Sequence, residues 1–330
     1  MKTLLVGRQF EKGVKDSLIS NPVVTNIIDS TVGYDLIIWN SPEEPIKDKG
    51  AVLVYVSNSS DIGVSLTDLY RNGANAVILI NKEGYYDLVD ALGNLWCRTT
   101  DQVELLNNVV RLYEWSKSTI RIESTQSEGR VPYTNIQELD NFCNIIRSVS
   151  ENVDNERGGR YFGNASTRCS KMFPTLRSTS NKSQYILVTK RNTSKRSIKP
   201  NDFVVTKMSK DNKVLYYGKD KPSVDTPIQI ELYQSFPNIN FMIHGHAYIS
   251  REFLDYNLIN YTNKYCSCGD LREAHEVRKY IQNKYCDLFV INLQNHGFII
   301  ATDTLGRMKS IVNGNISFIY RDVGEERVKI

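Results

Sequence analysis

Three of the four histidines in this 330-residue sequence stand in settings that suit a metal ion. His244 and His246 lie one residue apart in NINFMIHGHAYI, a β-like run, and alternate residues of a strand project to one face, so one cation can meet both imidazoles. His296 lies in FVINLQNHGFIIAT, where two apolar runs flank Asn-His-Gly; a hairpin-like reversal there would hold the ring at the end of a strand pair. Three neutral imidazoles with an open position are the pattern of a catalytic zinc site, and iron, manganese and cobalt accept similar sets. An isolated H-x-H is more often a satisfied polar pair, so its company decides. His275, in LREAHEVRKY, reads as a helix-surface residue. Cys266 and Cys268 lack the C-x₂₋₄-C spacing and the second pair of a structural zinc site, and all six cysteines are expected as reduced thiols.

The company is found upstream. The segment KPSVDTPIQIELYQSFPNINFMIHGHA, followed by LQNHG, resembles the class II aldolase/adducin family, and GNAS at 163–166 matches that family's Gly-Asn-x-Ser turn. The distance from Asp225 to His244 also agrees with the family's aldolases and epimerases. The resemblance covers roughly residues 135–320. It implies a divalent ion, zinc foremost, held by His244, His246 and His296. It implies a reaction of the L-fuculose-phosphate aldolase or L-ribulose-5-phosphate 4-epimerase kind, in which a metal-stabilised enediolate forms as a carbon–carbon bond beside a carbinol breaks or re-forms. The catalytic carboxylate would be Asp225. Asp225-Thr226-Pro227 looks more like the epimerase branch, where the aspartate approaches the metal, than the aldolase branch with its glutamate. A helix N-cap role for Asp225 is compatible with either.

Departures from the family pattern sharpen what remains open. Its phosphate pocket would use Asn164, Thr189 and Ser223 here, yet Val224 replaces a second serine and TKRNTSKR lacks the loop glycine. Lys190, Arg191, Lys195 and Arg196 could supply charge in place of the lost donors. The chain is also shorter than the aldolases between His246 and CSCGDLREAHEV, where they carry a catalytic tyrosine and the epimerases an aspartate. Tyr248, Tyr256, Tyr261 and Asp270 are the unresolved general-acid candidates, each also a plausible packing residue.

These side chains need elements to hold them. A helix led by Thr134 through Ile136, Leu139, Phe142, Ile145 and Ile146 opens the C-terminal half; YILVTK, DFVVTKM and KVLYYG read as strands and PIQIELYQSF as a helix entered at Pro227. The family resemblance implies a three-layer α/β/α domain with a largely antiparallel sheet over 134–330. Residues 1–122 instead alternate apolar runs (TLLVG, VVTNIID, YDLIIWN, AVLVYV, NAVILIN) with helix-compatible stretches, as a parallel α/β domain does. Asp101–Lys117 predicts a closing helix with Val103, Leu106, Val110 and Leu112–Trp115 on its apolar face, and STQSEG begins a linker over 123–133. The first third loosely resembles a receiver domain, with RNGANAVILINK matching its Gly-Ala strand ending in Lys82, and a plain flavodoxin-like scaffold is the alternative. Asn40 stands where a receiver has its phosphorylated aspartate, and Gly7-Arg8-Gln9 replaces its acidic pair. Phosphotransfer is therefore not expected of it; docking, oligomerisation or packing is.

Composition bounds the rest. Lys plus Arg number 41 against 37 for Asp plus Glu, so no polyanion-binding surface and no nucleic-acid partner is expected. The apolar run in MKTLLVG is too short for a signal-peptide core or a membrane span, which predicts a cytosolic protein without a membrane partner. The family implies a homo-oligomer, a tetramer in its known members. Three readings compete: an enzyme acting on a small sugar or sugar phosphate, a non-catalytic adducin-like scaffold, and a metal-binding regulatory protein. Three imidazoles favour an ion, because desolvating them is costly unless a partner occupies them.

Overall fold

The computed structural model describes residues 2–6, 26–27, 36–39, 52–57, 59–80, 83–128, 136–153, 156–169, 185–250, 259–314, 316–320 and 324–328. Gly7-Arg8-Gln9, Asn40, Lys82, Thr134 and Tyr256 lie outside the described residues. The chain forms two compact units: Met1–Ser118 with Arg157–Gly159 and Asp322–Val328, and Thr119–Glu156 with Arg160–Arg321 and Lys329–Ile330.

In the first unit β1 (Lys2–Val6), β2 (Asn26–Ile27), β3 (Leu36–Trp39), β4 (Val52–Val56) and β5 (Ala76–Ile80) pair in parallel in the order β2-β1-β3-β4-β5. That is the flavodoxin-like order. Between β4 and β5 runs α1 (Ile62–Asn72), whose N-cap Asp61 accepts from Gly63 N (2.8 Å) and Val64 N (3.1 Å). Two strands not expected from the sequence follow, β6 (Tyr86–Asp90) and β7 (Leu95–Thr99), an antiparallel hairpin beside β5. Helix α2 (Gln102–Ser118) closes the unit; it buries Leu105, Leu106, Val109, Val110 and Leu112, while Val103, expected on the apolar face, is exposed. Residues 324–328 run along β7, Leu95 N donating to Glu326 O (2.9 Å) and Val328 N to Leu95 O (3.0 Å). They had been expected in the C-terminal domain; pairing satisfies an otherwise open sheet edge here.

The second unit contains β8 (Ser124–Ser127), α3 (Ile136–Glu151), β10 (Arg160–Tyr161), β11 (Asn164–Arg168), β12 (Ile186–Thr189), β13 (Phe203–Met208), β14 (Val214–Tyr217), α4 (Thr226–Ser235), β15 (Phe241–Gly245), β16 (Ala247–Ile249), β17 (Ile259–Tyr261), α5 (Arg272–Tyr280), β18 (Leu288–Leu293), β19 (Gly297–Thr302), α6 (Leu305–Gly314) and β20 (Phe318–Tyr320), and the short strand β9 (Glu156–Arg157) has one residue in each unit. The main sheet runs β17-β18-β19-β15-β11-β12-β13-β14-β8, antiparallel except for β17–β18 and β14–β8. Ser124–Ser127, expected within a linker, is thus a strand: backbone pairing to β14 needs no apolar side chains, and these four offer none.

The alternation of each strand sorts the core into two layers. Phe241 and Ile243 of β15, with Phe298 and Ile300 of β19, pack with Phe142, Ile146 and Val149 of α3 and Met308 of α6. On the other face Met242, Ile299, Ala301 and Ile291 pack with Ile228 and Leu232 of α4 and with Ala274 and Val277 of α5. The result is a three-layer α/β/α domain. No helix among the described residues is long and apolar enough to cross a membrane.

Candidate metal centre

His244 follows the parity of Met242, so its ring enters the layer beneath α4 and α5. His246 sits at the bend between β15 and β16 instead of inside a continuous strand, and Phe162 lies against its ring with centroids 5.0 Å apart. His296 occupies the three-residue loop between β18 and β19, whose preceding Asn295 takes φ +55°. Glycine is required beside it: a Cβ on Gly297 would stand 2.0 Å from Gly245 O, the backbone that leads into His246.

These elements bring the three rings together. Centroid separations are 5.1 Å for His244–His246, 4.8 Å for His244–His296 and 5.0 Å for His246–His296, and one nitrogen from each lies within 4.8 Å of the others. All three are buried. His244 Nδ1 is 2.8 Å from Phe298 O, and because a carbonyl only accepts, Nδ1 carries the proton. That leaves the Nε2 lone pair of His244, which is buried and has no hydrogen-bond partner among the described residues. Such an orphaned atom costs about 1–3 kcal/mol. Burial, and His296 beside it, press the proton affinity of His244 below the ordinary histidine value, so the ring is neutral and ligand-competent. This donor set fits a divalent cation.

Glu273 was not foreseen. Its carboxylate hydrogen-bonds to His296 Nδ1, which directs Nε2 of that ring inward. Burial pushes the Glu273 carboxyl well above the usual carboxylate range, with neighbouring His244 opposing the rise. The available signal was its place on the buried stripe of α5 with Ala274 and Val277.

Asp225 occupies the N-cap position of α4, but its side chain makes no cap hydrogen bond. It reaches across instead: Oδ2 accepts from Asn164 Nδ2 (2.7 Å) and Oδ1 from Gly269 N (2.6 Å). Asn164 lies opposite His244 in the β11–β15 register, and its Oδ1 accepts from Gln229, a second buried residue that sequence reasoning missed. Asp225, Asn164, Gln229, His244 and Glu273 line one small cleft. Ser223 and Thr189 are tied to the backbone of residues beside it. Asp225 N donates to Ser223 Oγ (3.3 Å), and Ala165 N to Thr189 Oγ1 (3.3 Å).

Residues 154–313 match the family model of the class II aldolase and adducin N-terminal domain. The C-terminal part of this chain is a class II aldolase-type domain. Among solved structures it is similar to an L-fuculose 1-phosphate aldolase (19% identity, 55% of this chain and 82% of that one, TM-score 0.39). It is also similar to an aldolase II superfamily protein from Pseudomonas syringae (12%, 57% and 83%, TM-score 0.36) and to the N-terminal class II aldolase domain of a conserved protein from Thermoplasma acidophilum (15%, 56% and 94%, TM-score 0.35). No curated protein matches the chain.

Within the aldolase-type domain the general-acid candidates separate. Asp270 is fully buried and committed to Arg272 (shortest contact 2.6 Å) and to Ile120 N (3.2 Å). Tyr261 packs against the α3 and α6 core. Tyr248 Oη accepts from Asn295 N (3.0 Å), next to His296. His275 is exposed on α5, as expected.

Proposed function

We propose that this chain is a metal-dependent aldolase- or epimerase-like enzyme acting on a small sugar or sugar phosphate. His244, His246 and His296 hold a divalent ion, zinc foremost, and Asp225 is the catalytic carboxylate. The observation that carries the reading is the unpartnered, buried Nε2 of His244 within a triangle of imidazoles. A cation there supplies fixed positive charge to the oxygen on which negative charge builds as the carbon–carbon bond beside a carbinol breaks or re-forms.

The chain's own residues do the rest. Glu273 fixes the tautomer and direction of His296. Asn164 and Gly269 N hold the Asp225 carboxylate on the wall of the cleft, where its remaining lone pairs accept a proton from substrate and return it. Ser223 and Thr189 accept backbone N–H bonds and keep their own O–H donors for an anionic group on the substrate, together with Asn164. Among the described general-acid candidates, Tyr248 stands beside the triad. An adducin-like scaffold has no use for three buried imidazoles around an orphaned nitrogen.

Elemental analysis of protein purified in metal-replete medium tests the first half. One equivalent per chain, lost in His246→Ala, is expected; a metal-free wild-type protein overturns the proposal. Retro-aldol and epimerase assays over a panel of small sugar phosphates test the second half, and occupancy without turnover on any of them would leave a metal-binding regulator. Size measurement in solution checks the expected homo-oligomer.

A further inference from the structure

His296 Nε2, the nitrogen that Glu273 leaves facing the centre, meets the sulfur of Cys268 at 3.4 Å. In a tetrahedral centre with Zn–S near 2.3 Å and Zn–N near 2.0–2.1 Å, sulfur and nitrogen ligands stand roughly 3.5 Å apart. Cys268 is thus separated from this imidazole by the distance that two ligands of one ion keep. A second observation points to the same centre independently: His244 Nε2 is buried, without a hydrogen-bond partner among the described residues, and its ring centroid is 4.8 Å from that of His296.

The backbone carries the thiol there. Gly269, at φ +76°, turns the chain directly after Cys268, and its N–H is fixed by Asp225 Oδ1 (2.6 Å). A Cβ at Gly269 would stand 3.0 Å from Val224 O, so the turn closes tightly on the segment that bears Asp225. The same contact that holds the candidate catalytic carboxylate therefore holds the residue after the thiol.

We propose that Cys268 is the fourth protein ligand of the metal centre, completing a three-histidine, one-cysteine set. The proposal rests on the metal reading above. Ligation converts the thiol to a thiolate and releases its proton to solvent as the metal–sulfur bond forms. A thiolate selects zinc or cobalt over magnesium, manganese or calcium. It also fills the fourth position of a tetrahedral centre next to the Asp225 turn, so a substrate oxygen would reach the ion by expansion to five-coordination.

Cobalt(II) substitution of the full-length protein tests this, because the ion reports its ligands by absorption. Visible d–d bands at one equivalent per chain report tetrahedral binding. A near-ultraviolet sulfur-to-cobalt charge-transfer band is expected with them, lost in Cys268→Ser and retained in Cys266→Ser, which removes the buried neighbouring thiol. Stoichiometric d–d bands without the charge-transfer band in wild-type protein overturn the cysteine assignment and leave the histidine site standing. Absence of stoichiometric cobalt overturns both. If Cys268→Ser loses cobalt altogether, circular dichroism decides: a native spectrum supports ligation, and an unfolded one assigns the loss to the fold and overturns the inference.

Discussion

The carboxylate of Glu273 holds Nδ1 of His296, and both groups are buried. A helix of one layer thereby sets the direction of a ring carried by a loop of the sheet. Glu273→Gln keeps the shape of the side chain but weakens that hold, and outer partners of metal ligands are worth roughly 10–100-fold in affinity. A fall of that size in zinc affinity, read by competition with a chromogenic chelator while the unfolding midpoint of the metal-free protein changes little, is the expected outcome. Unchanged affinity would remove Glu273 from the centre.

Asp225 carries a second arrangement that truncation would expose. Asp225→Ala leaves the amide of Asn164 and the N–H of Gly269 without their acceptor, at about 1–3 kcal/mol for each buried donor. Urea unfolding should show that loss, and turnover on any substrate found for the wild type should vanish. Stability within about 0.5 kcal/mol of wild type would mean that the cleft is solvated and the carboxylate not held.

Lys195 gives a pH signature. It is buried, its ammonium donates to Thr193 O (2.8 Å), and burial lowers its pKa to about 8, with Asp225 opposing. The unfolded value is near 10.4. Between these values the folded chain has shed a proton that the unfolded chain keeps, so this residue's contribution to stability rises with pH across about 8 to 10.4, by at most ~1.4 kcal/mol per unit. Below about pH 8 both states are protonated and the contribution is flat. Measured against Lys195→Met, wild-type stability should gain over that window; parallel curves would contradict a buried ammonium.

Gly297→Ala tests the close approach of the β18–β19 loop to β15. A methyl group at 2.0 Å from Gly245 O forces the two segments apart, and overpacking of this kind typically costs about 1–3 kcal/mol. Chemical denaturation should show that cost, with a weakened metal site because His246 and His296 flank the contact. A variant of wild-type stability that still binds metal would show that the loop can yield.

Much of this was legible in the sequence where side-chain period and backbone agree. The parallel strands of the first unit announced themselves as apolar runs, because both faces of such a sheet are covered. His244 and His296 were legible through a strand and an Asn-His-Gly reversal. The β6–β7 hairpin was hidden by its charges: Asp87 pairs with Arg98 across the strands (2.8 Å), and Asp90 accepts from Leu92 N (2.8 Å), Asn94 N (3.0 Å) and Trp96 Nε1 (3.1 Å). Those aspartates are bound up in the turn, yet in sequence they resemble a loop. Glu273 and Cys268 were illegible for a related reason. A glutamate among Arg272, His275 and Glu276 reads as solvent-facing until α5 is seen to turn it inward, and Cys-Ser-Cys shows no ligand spacing because its partners come from elsewhere in the chain.

The parallel pairing of Ser124–Ser127 with β14, together with the bond from Leu271 N to Ile120 O (2.9 Å), means that eight residues lying ahead of α3 are woven into the aldolase-type domain. A fragment cut at residue 134 would strip a whole border from the sheet and take the backbone carbonyl from the start of α5, the helix that bears Glu273. Excision upstream of Thr119 keeps both, so where the knife falls decides whether the metal centre survives separation from the N-terminal unit.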